Sequence, residues 1–278
     1  MNDLLRELAP ISSEAWSEIE KQAKQTLERM LAARKLVDVS GPHGWAMSAV
    51  STGRVERIEG ERKGIEAHLR VVQPLVEERV PFELSRRELE SIGRGAKNFD
   101  LQPVISAAQT LAVSEDASVF HGYAAGHIEG IGEAAAAATL PLSDDYEKYP
   151  GVVAEATGRL RLAGVDGPYA IALGPRCFTG LTRTAREGYP VIEHVRRLVD
   201  GPIVWAPGVD GAVVLSQRGG DFELTLGQDI SIGYLDHSTE TVRLYLQESF
   251  TFQVHAAEAA VPLRYPERAR EGSSSRKR

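Results

Sequence analysis

Residues 51–82 read STGRVERIEGERKGIEAHLRVVQPLVEERVPF, and this stretch decides what kind of fold the chain can have. Apolar residues recur on both sides of the charged, glycine-bearing tip EGERKG at 59–64, which is typical of a long two-stranded arm. An isolated hairpin is marginal in water, and its unpaired edges invite pairing with another chain. We therefore predict an arm that contacts a neighbouring subunit, and a hairpin within an internal sheet is the alternative.

Regular elements are predicted on both sides of the arm. The sequence SSE at 12–14 offers a hydroxyl N-cap, and apolar residues follow it at helical spacing. Residues 100–122 predict a second, longer helix that supports the core, with a proline tolerated in its first turn. Residues 149–215 alternate helix and strand, and residues 222–254 alternate as β-strands do. The chain therefore predicts a mixed α+β fold.

Composition and charge exclude several classes of function. The chain has 278 residues, 42% of them hydrophobic, with 32 basic and 39 acidic residues and a net charge of −7. This charge is opposite to the one that a phosphate backbone selects, so we expect no nucleic-acid ligand. A single cysteine excludes an intrachain disulfide. The charged start MNDLLRE and the lack of a membrane-length apolar run favour a cytoplasmic protein without membrane contact.

No motif for catalysis, cofactor binding or metal binding stands in a convincing context. GIGEAA at 130–135 fits a relaxed dinucleotide pattern but has no buried strand before it. Cys177 with His194 would need an activated thiol, and a small buried side chain is the more frequent role of a lone cysteine. The acidic loop at 144–147 has no convergent partner, and the histidines lack metal-ligand spacing. We therefore expect a structural or binding protein, not an enzyme.

Short motifs along the chain, taken together, resemble those of encapsulin shell proteins of the linocin type, in the same order. They are RKLVD at 34–38, GP at 41–42, VPF at 80–82, ED at 115–116 with Phe120, GPY at 167–169, GYP at 188–190, GGDF at 219–222, GQD at 227–229, SIGY at 231–234 and ESFTF at 248–252. Residues 161–169 and 204–207 are most similar to the actinobacterial branch of that family.

The resemblance implies the fold of the tailed-phage major capsid protein, with an N-terminal helix, an extended arm, a peripheral domain on a spine helix and an axial α/β domain. The segments that it implies are a lumenal helix at 1–40, the arm at 51–79 and the axial domain at 141–212. Residues 266–278 extend beyond the usual last strand, and their polar composition predicts a disordered tail. The peripheral domain takes residues 41–50 and 80–140, and its β part takes residues 213–265. About sixty copies would close one icosahedral shell.

The resemblance also implies two sites. The C-terminal targeting peptide of a cargo enzyme would dock on Leu31, Arg34, Asp38, Asp229, Ile230 and Ile232. Glu187, Gly188, Tyr189 and Pro190 would line the five-fold pore. Without the resemblance, Arg34 and Asp38 would be interpreted as a surface ion pair four residues apart, and the isoleucines as core.

The cargo expected by resemblance is a dye-decolourising peroxidase, with a ferritin-like protein as the alternative, so haem or iron would belong to the cargo and not to the shell. The role would be oxidative-stress defence or iron storage. Some members of the family bind a flavin near an aromatic residue that SRRE at 85–88 lacks, so none is expected here. The competing functions are a peptidase or bacteriocin-like enzyme and, more weakly, a phage capsid protein.

Overall fold

Two five-stranded sheets, a separate hairpin and a long central helix make up the fold of residues 4–186 and 188–266, which the computed structural model describes. The helices are α1 (Ser13–Met30), α2 (Arg86–Gly93), α3 (Gln102–His121), α4 (Ile131–Ala134), α5 (Tyr149–Leu162), α6 (Pro175–Arg183) and α7 (Val191–Arg196). The strands are β1 (Asp38–Ser40), β2 (Ala49–Ile58), β3 (Ala67–Pro74), β4 (Val76–Ser85), β5 (Leu140–Pro141), β6 (Tyr169–Leu173), β7 (Ala185–Arg186), β8 (Tyr189–Pro190), β9 (Ile203–Trp205), β10 (Ala212–Ser216), β11 (Phe222–Leu226), β12 (Ser231–His237), β13 (Thr241–Val254) and β14 (Ala260–Arg264). Of the predicted tail at 266–278, residues 267–278 lie outside the described residues.

Helices α1 and α3 pack against each other and form the support of the fold. The N-cap of α1 is Ser12, whose Oγ accepts a hydrogen bond from the Ala15 N–H at 3.3 Å. One face of α1 is buried, as its spacing predicts, whereas α3 is buried over most of its surface from Val104 to Phe120. The long helix predicted at 100–122 is therefore present as α3, and its role as the spine of a peripheral domain stays a prediction.

The peripheral sheet is built around the long strand β13. Strand β4 pairs along one side of β13, and β11 and β12 pair one after the other along its opposite side. Residues 227–230 separate β11 from β12, although Gly227 and Gln228 still bond to the Ser249 backbone of β13. Strand β1 adds in parallel to the outer edge of β11. This break in the strand places Asp229 and Ile230 next to α1.

The axial sheet has the strand order β5-β14-β10-β6-β9, and α5, α6 and α7 pack around it. Strands β10 and β14 belong to this sheet, so the predicted assignment of residues 213–265 to the peripheral domain is wrong at both ends. Alternation identifies a strand but not the sheet that it joins, because the pairing partners of β14 lie far away in the sequence.

The predicted arm is the hairpin of β2 and β3, which pair with each other and with no other described strand. Its apolar side chains Val55, Ile65 and Leu69 are more than half exposed. The hairpin ends at Pro74, because from Val76 onward the chain pairs with β13. The arm is thus shorter at its C-terminal end than the predicted segment 51–79.

Two short helices, α2 and α6, are absent from the prediction. Cys177 lies in α6, where its Sγ is 3.2 Å from the Tyr149 hydroxyl. The Cys177 side chain is buried, and burial raises the pKa of its thiol, which is the opposite of the lowered pKa that an activated nucleophile needs. The glycine-rich pattern at 130–135 lies on the four-residue helix α4, which is too short for a dinucleotide loop. No helix in the described ranges is long and apolar enough to cross a membrane.

Candidate functional site: a groove between the first helix and the peripheral sheet

An elongated groove of about 640 Å³ lies between α1 and β12. Its walls combine aliphatic side chains with a rim of charged ones, and its lining residues are Leu4, Arg6, Glu20, Ala23, Lys24, Leu27, Glu28, Leu31, Arg34, Lys35, Asp229, Ile230, Ser231, Ile232 and Leu246. An aliphatic channel with a charged rim is the surface that an extended apolar peptide can occupy.

The groove brings together predicted site residues from two distant parts of the chain. Leu31 and Arg34 follow α1 directly, whereas Asp229 and Ile230 lie in the break before β12, and Ile232 lies in β12 itself. Ile232 is only 7% exposed and also packs in the core between α1, α3 and the peripheral sheet. Ile230 is partly buried and is the more accessible of the two isoleucines.

Asp38 does not line this groove, which corrects the predicted set. The chain leaves α1 through a 3₁₀ turn, Ala33–Lys35, and enters β1, which pairs with β11. The carboxylate of Asp38 instead accepts a hydrogen bond from the Gly220 N–H at 2.6 Å. The spacing of four residues would place Asp38 beside Arg34 only on a continuous helix, so the alternative of an Arg34–Asp38 ion pair is also wrong.

Arg34 is the centre of a largely buried ion network at the floor of the groove. Its Nε donates to both carboxylate oxygens of Glu115 at 3.0 and 2.9 Å, its Nη1 donates to Asp229 at 2.7 Å, and its Nη2 donates to Glu248 at 3.0 Å. The Arg34 side chain is 17% exposed, and Glu115 and Glu248 are fully buried. The guanidinium thus ties the end of α1 to α3, β13 and the loop at 227–230.

Acidic groups outnumber basic ones in this network. Burial raises the pKa of Glu248 well above its usual value, and the charge of Glu115 raises it further, while Arg34 opposes both effects. Burial raises the pKa of the neighbouring Asp116 to about 7, although the hydrogen bonds that its carboxylate accepts from the Ala33 and Ala32 N–H groups lower this pKa. Glu248 Oε1 is buried without a hydrogen-bond partner among the described residues.

The N-terminal segment closes one end of the groove. The Leu4 carbonyl accepts a hydrogen bond from the Tyr234 N–H of β12 at 2.8 Å. Arg6 forms an ion pair with Glu20 of α1, and its guanidinium lies 4.2 Å from the ring centroid of Trp16. The groove therefore has an α1 wall, a β12 wall and an end formed by Leu4 and Arg6.

Comparison with known proteins identifies the family. Residues 1–251 match the family model described as an encapsulating protein for peroxidase, Linocin_M18. The chain belongs to the encapsulin family. The type 1 encapsulin shell protein of Rhodospirillum rubrum is 56% identical to this chain, and the match covers 95% of this chain and 97% of that protein. The type 1 encapsulin shell protein of Mycobacterium tuberculosis is 51% identical, and the match covers 95% of this chain and 99% of that protein. The relative in Brevibacterium linens is 45% identical over 95% of this chain and 99% of its own.

Solved structures support the encapsulin fold. A virus-like particle from Pyrococcus furiosus matches with a TM-score of 0.62 at 16% identity, over 89% of this chain and 98% of that one. Mycobacterium phage Ogopogo matches with a TM-score of 0.55 at 13% identity, over 86% and 92%. The predicted phage-capsid-like fold and the predicted encapsulin family are confirmed. The relatives are named as shell proteins, so the chain is a shell protein and not an enzyme.

The predicted pore residues Gly188, Tyr189 and Pro190 of this encapsulin chain lie on the short hairpin of β7 and β8. Gly188 has φ +84°, a conformation that favours glycine, and the Tyr189 side chain is 62% exposed. Pro190 is also exposed, and Glu187 lies outside the described residues. An exposed hairpin tip is compatible with a pore lining, which stays a prediction.

Sequence reasoning missed the acidic partners of Arg34 in this encapsulin chain. Glu115 stands in the apolar face of α3, and Glu248 begins the motif ESFTF in β13. A carboxylate in a buried stripe requires a partner, and this signal could have marked both residues as members of a network. It could not have named Arg34 as the partner, because Arg34 is 81 residues from one and 214 from the other.

Proposed function

We propose that this chain assembles into a closed icosahedral shell of about sixty copies, in which each arm contacts a neighbouring subunit. The hairpin of β2 and β3 supports this proposal, because it exposes Val55, Ile65 and Leu69 and has little core of its own. Exposed aliphatic side chains on a two-stranded arm gain free energy when a second chain covers them.

The groove between α1 and β12 is proposed to bind the C-terminal targeting peptide of a cargo enzyme on the lumenal face. The observation that carries this proposal is the meeting of Leu31 and Arg34 with Asp229, Ile230 and Ile232 along one channel. Each aliphatic side chain that a peptide buries there would contribute about 1.5–3 kcal/mol. Many identical grooves facing one lumen would add avidity.

The proposed cargo is a dye-decolourising peroxidase, and the proposed role is oxidative-stress defence in the cytoplasm. The description of the matching family as an encapsulating protein for peroxidase favours this cargo. A ferritin-like protein with a role in iron storage is the second candidate. In both cases the cargo would carry the haem or iron, because the shell chain acquires chemistry only from what it encloses.

Co-production of the shell chain with a dye-decolourising peroxidase tests the proposal. We expect closed particles in electron microscopy that co-elute with peroxidase activity, and empty particles of the same size when the C-terminal tail of the peroxidase is deleted. A ferritin-like protein produced in its place tests the second cargo. Equal loading with and without the tail would contradict targeting through the groove.

The variant Ile230→Asp connects the loading to the groove. It should give empty shells of normal size, because a charge would be buried without a partner where the peptide docks. The control is Leu8→Asp, since Leu8 is 63% exposed and does not line the groove. Full loading of Ile230→Asp shells would show that the peptide binds elsewhere.

A further inference from the structure

Beside the groove, the outer edge of β12 carries a backbone position that has no hydrogen-bond partner in the part of the chain that the structure describes. The Tyr234 N–H points away from β13, because it donates to the Leu4 carbonyl. Residues two apart in an antiparallel strand direct their backbone groups to the same side. The irregularity in the pairing of β12 with β13 lies after Tyr234, so this alternation holds from Ile232 to Tyr234.

Ile232 therefore directs its N–H and its C=O toward the groove. Among the described residues, no hydrogen bond reaches either of these two groups. At the next position along the same edge, Leu4 has already supplied a carbonyl to Tyr234. The Leu4 carbonyl thus shows that this edge donates a hydrogen bond to a segment outside the sheet, and among residues 4–186 and 188–266 nothing bonds to the Ile232 position.

The opposite wall fits the side chains of such a strand. Leu27 and Leu31 face the groove from α1, and Ile230 adds an aliphatic contact at the break in the sheet. In an extended peptide, alternate side chains point to the same face, so every second residue would contact this aliphatic surface while the backbone follows β12. The groove thus offers a backbone edge on one wall and an aliphatic surface on the other.

We propose that the peptide in the groove adds a strand to the peripheral sheet by pairing its backbone with Ile232, next to the position that Leu4 occupies. This inference rests on the proposed function of the groove and adds how the peptide is bound. Main-chain hydrogen bonds then set the register, and the aliphatic wall selects the side chains.

N-methylation of the peptide backbone tests the pairing. The probe is the synthetic C-terminal tail of the co-produced peroxidase, methylated at one backbone nitrogen at a time and titrated into empty shells. The methylated residues that face β12 should lose about fivefold or more in affinity, the effect of one lost hydrogen bond, and the intervening residues should lose little. The expected result is a sensitivity that alternates along the tail.

Hydrogen exchange in the shell gives the second readout. The Ile232 amide should become protected when the unmodified tail binds, while the Tyr234 amide, already bonded to Leu4, should change little. Binding of the tail without alternation and without protection of Ile232 would overturn this inference and leave the groove as the docking site. Failure of the unmodified tail to bind would overturn both proposals.

Discussion

Replacing Arg34 by methionine removes the guanidinium that faces Glu115, Glu248 and Asp229, while it keeps a long apolar side chain. Glu115 and Glu248 are fully buried and would remain beside each other without their cation. Breaking a buried ion pair from one side costs about 3–5 kcal/mol, because the remaining charge has no compensation. Asp229 is half exposed, so its lost ion pair adds at most about 1 kcal/mol.

The cost of Arg34→Met should depend on pH. Burial raises the pKa of Glu248, and a carboxyl with a raised pKa in the folded state contributes stability at low pH that is lost as the pH rises through that value. Without Arg34, which opposes this rise, the pKa of Glu248 should increase further. The variant should therefore differ from the natural protein less at pH 5 than at pH 8.

Thermal unfolding of purified shells at pH 5 and pH 8, at one scan rate and concentration, measures both effects. A loss of about 3–5 kcal/mol should lower the midpoint by about 6–20 °C in a chain of this size. The matched control is Arg94→Met, because Arg94 and its partner Glu90 are both exposed, and its midpoint should hardly change. A shift for Arg34→Met that equals the control, or that is the same at both pH values, would refute this account of the network.

Three further predictions concern charge, assembly and the N-terminal segment. Glu248→Gln should flatten the decrease in thermal stability between pH 5 and pH 8, since the raised pKa of this carboxyl causes part of it; an unchanged pH profile would assign the decrease to other groups. Deleting residues 57–69 should give a folded small oligomer in gel filtration and circular dichroism, and intact shells would refute the role of the arm. Removing residues 1–6 should increase hydrogen exchange at the Tyr234 amide, because the Leu4 carbonyl is its partner, and unchanged exchange would exclude that bond in solution.

The sequence predicted those elements whose signal is local. The helical spacing after Ser12, the apolar run of α3 and the charged tip of the arm each lie within a few turns or strands, so their periods could be identified directly. The short helix α6 was not predicted, because its nine residues carry only a brief helical pattern. Strand β14 lies beyond the predicted alternation at 222–254, and its segment was assigned to the peripheral domain, whereas its partners β10 and β5 are distant in the sequence.

The same distinction explains which site residues could be found. Resemblance supplied Leu31, Ile230 and Ile232 by position, and the structure places them in one groove. It also supplied Asp38, which β1 directs to Gly220 instead. The partners of Arg34 come from α3 and β13, and no spacing rule connects residues 81 and 214 positions apart. Long-range pairing is therefore the part of the site that required the structure.

The position of Arg34 also determines which variants can report on cargo. Arg34 lines the groove and at the same time joins α1 to α3 and β13, so a loss of loading in an Arg34 variant mixes binding with stability. Ile232 has the same difficulty, because it is 7% exposed and belongs to the core. Ile230 lies outside the β12 ladder and is partly buried, so its substitution changes the groove with the least effect on the fold.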